Sequence, residues 1–213
     1  MKQLTILFLL IILTLANIGF CAPMDAAILD TISANYLNQM PFQLEYKISQ
    51  EFSNSDVITE EIGQFYLHNK DVFRVNYPGS QILFDGTWLW SIDKYNKQIV
   101  VEPFDPSSSL RLIYNVLNGN MAQYEIEEVE EIEHLDNHLK KIDMKSIDDN
   151  NFFKSMVITL DPVKEEIRTV EYVDFQNTSI VIDFLDFYSH TIDESILFKV
   201  KNLQKKDFID LRP

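Results

Sequence analysis

The amino-acid sequence predicts a mainly β domain with two helices, in which neighbouring strands run antiparallel. From Phe42 onward, apolar side chains recur at every second residue, which is the period of a strand with one buried face. Asp85-Gly86 lies between two such segments, and this dipeptide is typical of a tight hairpin turn. Short strands follow one another without long intervening helices, which favours an antiparallel sheet or barrel over βαβ units.

The composition excludes several classes of protein. The chain has 213 residues, of which 46% are hydrophobic, so one domain with a substantial core is expected. The formal net charge of −15 argues against a nucleic-acid binder, because phosphate contacts need clustered Lys and Arg. The 5 glycines leave no phosphate-binding loop, and the lone cysteine, Cys21, allows no intrachain disulfide.

The first 22 residues have the pattern of a cleaved secretory signal peptide. Lys2 precedes an apolar stretch over Leu4–Ala16, which is short for a membrane span of roughly 20 residues. The expected mature chain is then a single domain over residues 23–213. Two alternatives are a retained membrane anchor and a lipoprotein acylated on Cys21, although the bulky Phe20 stands where a lipoprotein signal has a small residue.

Two helices are predicted from apolar side chains at helical spacing. The first covers residues 24–40, where Asp25 suits the helix dipole and Pro41 ends the run. Its apolar positions are Ala27, Ile28, Ile32, Tyr36, Leu37 and Met40. The second covers residues 107–117, between the capping serines 107–109 and the stop at Asn118-Gly119. Its apolar positions are Leu110, Ile113, Tyr114 and Leu117.

Strands are predicted on either side of the second helix. Before it they cover Phe42–Ser49, Val57–His68, Val72–Tyr77, a hairpin over Gln81–Ile92, and Gln98–Glu102. After it they cover Leu139–Met144, Phe152–Leu160, Ile167–Phe175, Ser179–Phe187 and Ile196–Val200. The acidic run Glu125–Glu133 has an apolar residue at every third position and fits either a helix or a strand. We favour a solvated edge strand, since charge runs usually face water.

The sequence offers little for catalysis. His134 and His138 are four residues apart, but the intervening Asp136-Asn137 predicts a turn, and two ligands are too few for zinc. The many carboxylates include no identifiable acid–base pair, so a secreted β-rich hydrolase that uses such a pair is kept only as an alternative. We therefore predict no enzyme, no catalytic residues, no metal site and no cofactor.

Four short motifs occur in order between residues 63 and 101. They are Gly63-Gln64-Phe65-Tyr66-Leu67, Phe73-Arg74-Val75-Asn76-Tyr77-Pro78, Phe84-Asp85-Gly86-Thr87-Trp88-Leu89-Trp90-Ser91-Ile92-Asp93 and Gln98-Ile99-Val100-Val101. As a set they resemble the core of the periplasmic outer-membrane lipoprotein carrier family, LolA. A looser similarity extends over nearly the whole chain after the signal.

The resemblance implies an unclosed antiparallel β-barrel, that is a strongly curved sheet, covered by an α-helical lid. Its apolar interior would take the acyl chains of lipoproteins. The protein would be a monomeric periplasmic chaperone that receives lipoproteins from an inner-membrane ATP-driven release complex and passes them to an outer-membrane acceptor. A second possibility in the same fold group is a lipid-anchored outer-membrane acceptor or a sensor of mislocalised lipoproteins.

The resemblance also indicates candidate site residues. The lid would be formed around residues 24–40 and 107–117. The acyl-chain cavity would be lined or supported by Phe65, Phe73, Phe84, Trp88, Trp90, Leu110, Ile113 and Leu117. The chain departs from the family at Asn69-Lys70, where the family has Arg-Pro and uses the Arg as a latch between barrel and lid. Lys70 is the candidate replacement, although its ammonium lacks the bidentate geometry of Arg.

Overall fold

The computed structural model describes residues 22–52, 58–104, 109–134, 137–149, 151–173, 177–189 and 208–212. They contain the helices α1 (Ala22–Asn38) and α2 (Ser109–Leu117). The strands before α2 are β1 (Phe42–Glu51), β2 (Ile58–Asn69), β3 (Val72–Tyr77), β4 (Ser80–Phe84), β5 (Trp88–Asp93) and β6 (Gln98–Pro103). Those after it are β7 (Tyr124–His134), β8 (Asn137–Ser146), β9 (Ser155–Asp161), β10 (Glu166–Val173), β11 (Ser179–Ser189) and β12 (Phe208–Asp210).

All of these strands belong to one curved sheet that does not close on itself. The order is β12-β6-β5-β4-β3-β2-β1-β11-β10-β9-β8-β7, so β12 and β7 are its edges among the described residues. β12 runs parallel to β6, while the other neighbouring pairs are antiparallel. Bulge-like register shifts in β1, β2, β7 and β10 favour bending of the sheet. The predicted unclosed, strongly curved antiparallel sheet with two helices is confirmed.

The inner face of the sheet and the apolar sides of both helices share one hydrophobic core. Phe73 pairs with Leu67 on one side and with Phe84 on the other, and residues paired in an antiparallel ladder face the same way. Ile32 of α1 and Ile113 of α2 are fully buried in the same core. The two helices therefore cover the concave face of the sheet.

The end of α2 is fixed by a glycine. Gly119 has a φ of 67°, a left-handed value that costs other residues energy. Its N–H donates to the Val116 carbonyl, and the N–H of Asn120 donates to the Asn115 carbonyl, which is the Schellman pattern at a helix end. A Cβ on Gly119 would lie 3.0 Å from the Cβ of Ser33, so the missing side chain also lets α2 approach α1. The stop predicted at Asn118-Gly119 is thus confirmed.

The hairpin between β4 and β5 turns one residue later than Asp85-Gly86 predicts. Its loop residues are Gly86 and Thr87, because the Asp85 N–H donates to the Trp88 carbonyl at 3.2 Å. Gly86 supplies the positive φ, 93°. The carboxylate of Asp85 accepts hydrogen bonds from the N–H groups of Thr87 (3.0 Å) and Trp88 (2.8 Å). Asp85 therefore closes the turn from its base instead of occupying it.

The acidic run lies in β7, an edge strand, as favoured from the sequence. Its neighbour β8 brings lysines to it: Lys140 lies 3.9 Å from Glu131 and Lys145 lies 3.5 Å from Glu127. His134 ends β7, whereas His138 belongs to β8, so the two histidines do not share a helix face. This edge is solvated and partly charge-balanced.

Several predictions fall on the parts of the chain outside the described residues. These are the signal segment up to Cys21, the serines at 107 and 108, and the strand Ile196–Val200. The helix predicted over 24–40 spans Ala22–Asn38, a shift of two residues at each end. β12 is an additional strand that the sequence pattern did not reveal.

Candidate functional site

An aromatic cluster lies beneath α2 on the inner face of the sheet. Phe73, at its centre, is fully buried. Its ring centroid lies 5.1 Å from that of Phe65, 5.4 Å from those of Phe84 and Phe104, and 5.5 Å from that of Tyr114. These separations suit favourable aromatic packing. The cluster joins β2, β3, β4 and the residue after β6 to the helix above them.

The structure brings together six of the eight residues predicted to line the interior. All six are at most 8% exposed and belong to the shared core. They are Phe65, Phe73 and Phe84 from the sheet and Leu110, Ile113 and Leu117 from α2. Side chains fill the space between this part of the sheet and the helix. Any large apolar ligand in this interior would therefore have to displace α2.

Trp88 and Trp90 do not line the interior, contrary to the prediction. Leu89, which lies between them, pairs with Phe84 and shares its inner face. Trp90 instead pairs with Leu83 in β4, on the outer face. The physical reason is the two-residue loop, since residues equally distant from such a loop point the same way. Phe84 is therefore matched with Leu89, and both tryptophans point to the opposite side.

The tryptophans have polar partners on that outer side. The indole Nε1 of Trp90 donates to the Asp85 carboxylate at 2.8 Å. The guanidinium of Arg212 lies 5.8 Å from the ring centroid of Trp88, within the range of a cation–π contact. Partial burial alone would raise the pKa of Asp85, but hydrogen bonds from Trp88, Trp90 and Thr87 lower that pKa below its usual value. On the outer face of β5, each tryptophan thus contacts a charged group, the Asp85 carboxylate for Trp90 and the Arg212 guanidinium for Trp88.

A tyrosine on α2 ties this helix to the sheet. The hydroxyl of Tyr114 donates a hydrogen bond to the backbone carbonyl of Lys70, in the turn between β2 and β3. Lys70, an exposed residue, contributes to this contact through its backbone carbonyl. Arg111 adds a cation–π contact, with its guanidinium 4.8 Å from the ring centroid of Phe104. We call the Tyr114–Lys70 hydrogen bond the latch of α2.

α1 is held by a different tyrosine. The hydroxyl of Tyr36 accepts a buried hydrogen bond from the N–H of Ile167 in β10, at 3.1 Å. Its ring packs against Phe42 and Phe187, with centroid distances of 5.7 and 5.4 Å. Burial raises the pKa of Tyr36 to about 12. This helix is therefore tied to β10 and β11, on the other half of the sheet from the latch.

Two cavities open beside these helices. The one at the start of α2, which we call the Leu110 cavity, has a volume of about 330 Å³. It is lined by Ile48, Gln50, Thr59, Glu61, Tyr77, Ile82 and Leu110. The one near the end of α1, the Tyr36 cavity, has a volume of about 260 Å³ and mixes aromatic side chains with both signs of charge. Small-molecule sites commonly begin near 300 Å³, so the Leu110 cavity is of that order.

Sequence reasoning missed the polar residues that define this site. Tyr114 was assigned only an apolar role in the second helix, and Tyr77 only a place in a strand motif. Gly63 has a clear purpose, because a Cβ there would lie 2.7 Å from the ring and hydroxyl of Tyr46. The glycine of the sequence motif could have indicated such a close approach. Its partner could be found only once the pairing of β1 with β2 was known.

Several solved structures are similar to this chain at low sequence identity. An uncharacterized conserved protein from Thermus thermophilus aligns over 86% of this chain and 98% of its own, with a TM-score of 0.53 and 12% identity. A DUF1329 family protein from Desulfovibrio piger aligns over 84% and 98%, with a TM-score of 0.52 and 10% identity. A LolA superfamily protein from Nitrosomonas europaea aligns over 81% and 96%, with a TM-score of 0.43 and 13% identity.

The first two comparisons, with TM-scores of 0.53 and 0.52, show that the fold is shared. The sequence matches no family model, and no curated protein matches it. The architecture expected from the resemblance is present, as a single unclosed sheet with two covering helices. Within the described ranges, no helix is long and apolar enough to cross a membrane, and no three His, Cys, Asp or Glu side chains are grouped to hold a metal ion.

Proposed function

We propose that this protein is a periplasmic chaperone that encloses the acyl chains of lipoproteins between its curved sheet and α2. The observation that supports the proposal is the interior beneath α2, where a large aromatic and aliphatic surface is closed by a nine-residue helix that the latch ties to the turn between β2 and β3. The proposal extends to transfer from an inner-membrane release complex to an outer-membrane acceptor, as the family resemblance implies.

The energetics of such a carrier agree with this arrangement. Each methylene removed from water stabilises the complex by roughly 0.8 kcal/mol, so an acyl chain strongly favours an apolar interior over solvent. A carrier must also release its cargo. Closure of α2 onto Phe73 and Phe84 competes with the ligand for the same surface, which lowers the apparent affinity and makes release possible. The acidic surface then keeps the loaded protein soluble.

Binding of a synthetic lipopeptide to the mature protein tests the proposal. A peptide carrying a diacylglyceryl cysteine is titrated below its micelle concentration, and complexes are counted by native mass spectrometry. We expect a one-to-one complex with the lipopeptide and none with the same peptide lacking acyl chains. Absence of a complex with any acylated peptide would overturn the proposal.

The carrier role is tested in the periplasm. Lipoproteins that co-purify with the chain and transfer to outer-membrane vesicles would support transport. Loaded protein that never transfers would restrict the function to binding. The intact mass of the mature chain distinguishes the anchored alternative, because an acyl group on Cys21 would make the protein a membrane-bound acceptor instead of a diffusing carrier.

A further inference from the structure

The Leu110 cavity has an apolar floor and a polar rim. Ile48, Ile82 and Leu110 supply the floor, and Leu110 is only 5% exposed. Gln50, Thr59 and Glu61 supply the rim. The cavity therefore lies where the apolar interior under α2 meets solvent. A ligand placed here would have one end in hydrocarbon-like surroundings and the other beside a carboxylate.

Strand pairing explains why the rim has this composition. Tyr46 of β1 and Gly63 of β2 are opposite each other. The next pair on the same face, two residues further along β1, is Ile48 with Glu61. Because side chains alternate along a strand, Glu61 shares the inner face with Gly63. The rings of Tyr46 and Tyr77 meet edge to face above Gly63, with centroids 6.3 Å apart. The tyrosine pair thus forms the boundary between the packed core and the rim.

Glu61 gives this cavity a negative field. It is the one charged side chain in the lining of the cavity, as far as the described residues show. Burial raises the pKa of both Tyr46 and Tyr77, and the negative charge of Glu61 adds to the rise. Both hydroxyls therefore stay protonated and add no charge, and the hydroxyl of Tyr77, which lines the cavity, can donate a hydrogen bond to a ligand or accept one from it. The rim is suited to a cation that carries hydrogen-bond donors.

The Tyr36 cavity differs in this respect. Lys164 and Arg168 lie in its lining together with Glu166 and Asp186. The guanidinium of Arg168 is 3.0 Å from Glu166 and 3.1 Å from the buried Asp161, so its charge is already paired. That cavity has no uniform field and favours neither sign of ligand. Of these two cavities, the Leu110 cavity is the one whose described lining carries a single sign of charge.

We propose that the Leu110 cavity binds the polar head of the acylated cysteine and that Glu61 selects the free α-ammonium of a diacylated lipoprotein over an N-acylated one. This inference rests on the proposed function and adds a substrate class to it. The acyl chains would pass Leu110 toward the space beneath α2. The ammonium would lie at the rim, within reach of the Glu61 carboxylate and the Gln50 amide.

The experiment compares three lipopeptides of one sequence, each with the same diacylglyceryl cysteine. One has a free α-amine, one an N-acetyl group and one an N-palmitoyl group. For the wild-type protein we expect the free amine to bind about fivefold tighter than the N-acetyl form, since a charge-assisted contact with the exposed Glu61 is worth less than a buried one. The preference should fall as salt is raised, because a solvated pair is screened.

Glu61→Gln is the informative variant, because it keeps the shape and removes the charge. It should bind the free amine and the N-acetyl form within about twofold of each other. Glu60→Gln is the matched control. Glu60 is the adjacent residue but pairs with Ser49, and its carboxylate lies 3.5 Å from Lys47 on the outer face. Its variant should retain the preference of about fivefold.

The outcomes separate this inference from the proposed function. Equal binding of all three lipopeptides by the wild-type protein would overturn the selectivity and leave the chaperone intact. A preference that survives in Glu61→Gln would overturn the role of Glu61. Failure of every lipopeptide to bind would overturn the function itself. Tighter binding of a short-chain phosphatidylethanolamine than of the free-amine lipopeptide would assign the rim to a membrane lipid, against the proposal.

Discussion

The two helices that cover the sheet are attached in different ways. α1 is tied by a buried hydrogen bond, in which Tyr36, 4% exposed, accepts the N–H of Ile167. α2 is tied by the latch, in which Tyr114 donates to the carbonyl of the exposed Lys70. If α1 lifted, a backbone N–H in the core would lose its partner. If α2 lifted, the Lys70 carbonyl would bind water, and so would the Val116 carbonyl, which accepts a 3.2 Å hydrogen bond from the Ser33 hydroxyl of α1. The polar contacts of α2 therefore cost less to break than that of α1.

This difference assigns separate roles to the two helices. A buried donor left without a partner costs about 1–3 kcal/mol, whereas an exposed acceptor is satisfied by solvent. We expect α1 to behave as a fixed part of the wall. We expect α2 to be the element that moves, and it covers the aromatic cluster around Phe73 and lines the Leu110 cavity. On this hypothesis, the lid predicted from both helices divides into a fixed part and a mobile part.

Removal of one hydroxyl from each helix tests the division, and here we expect the largest effect. Tyr36→Phe should lower the free energy of unfolding by about 1–3 kcal/mol, because the Ile167 N–H stays buried without an acceptor. Tyr114→Phe should lower it by less than about 1 kcal/mol. The same variant should raise the affinity for a diacylated lipopeptide by about two- to fivefold, because a weaker closed state competes less with the ligand.

Urea unfolding and lipopeptide titration measure these effects. Both variants keep the aromatic ring, so each serves as the packing control for the other. Equal losses of stability would show that the helices are equally fixed. A gain in affinity for Tyr36→Phe but not for Tyr114→Phe would make α1 the moving element and reverse the comparison.

The pH dependence of stability gives a smaller and independent test. Burial raises the pKa of Tyr36 to about 12, above its ordinary value of 10. The folded state therefore favours the neutral phenol, and this stabilisation is complete below pH 10. Between pH 10 and 12 the unfolded chain ionises first, so the stabilisation is lost as the pH rises. The stability difference between wild type and Tyr36→Phe should shrink across this range.

Tyr114→Phe provides the comparison for this measurement. Tyr114 is only partly buried, although burial and the nearby Asp71 also raise its pKa. We expect its variant to follow the wild-type curve more closely than Tyr36→Phe does. A difference between wild type and Tyr36→Phe that stays constant from pH 8 to 12 would contradict a buried, neutral Tyr36 at the base of α1.

The sequence predicted the elements better than the contacts between them. The alternation from Phe42 and the stop at Gly119 depend on neighbours in the chain, so they could be recognised locally. The latch could not, because Tyr114 and Lys70 are 44 residues apart and meet only after α2 has docked. The role of Gly63 likewise depended on the register of β1 against β2, which brings Tyr46 over it.

The misplaced tryptophans are a different case, because the sequence contained the answer. A two-residue hairpin loop pairs residues equally distant from it, so an inward Phe84 requires an inward Leu89 and outward tryptophans at 88 and 90. Aromatic character favoured an interior position, but the geometry of the ladder determines the face. Trp90 has a polar partner outside, the carboxylate of Asp85, which makes that position favourable.

The smallest effect is expected from substitutions on this outer face. Trp88→Phe and Trp90→Phe should leave the lipopeptide affinity unchanged within about twofold, because neither side chain lies on the face covered by the two helices. Trp90→Phe should still cost some stability, since the Asp85 carboxylate loses the 2.8 Å hydrogen bond from the indole. Isothermal titration with the diacylated peptide measures the affinity, and Tyr114→Phe is the positive control. A large loss of affinity in both tryptophan variants, with folding intact, would place the ligand on the convex side of the sheet and remove the functional distinction between α1 and α2.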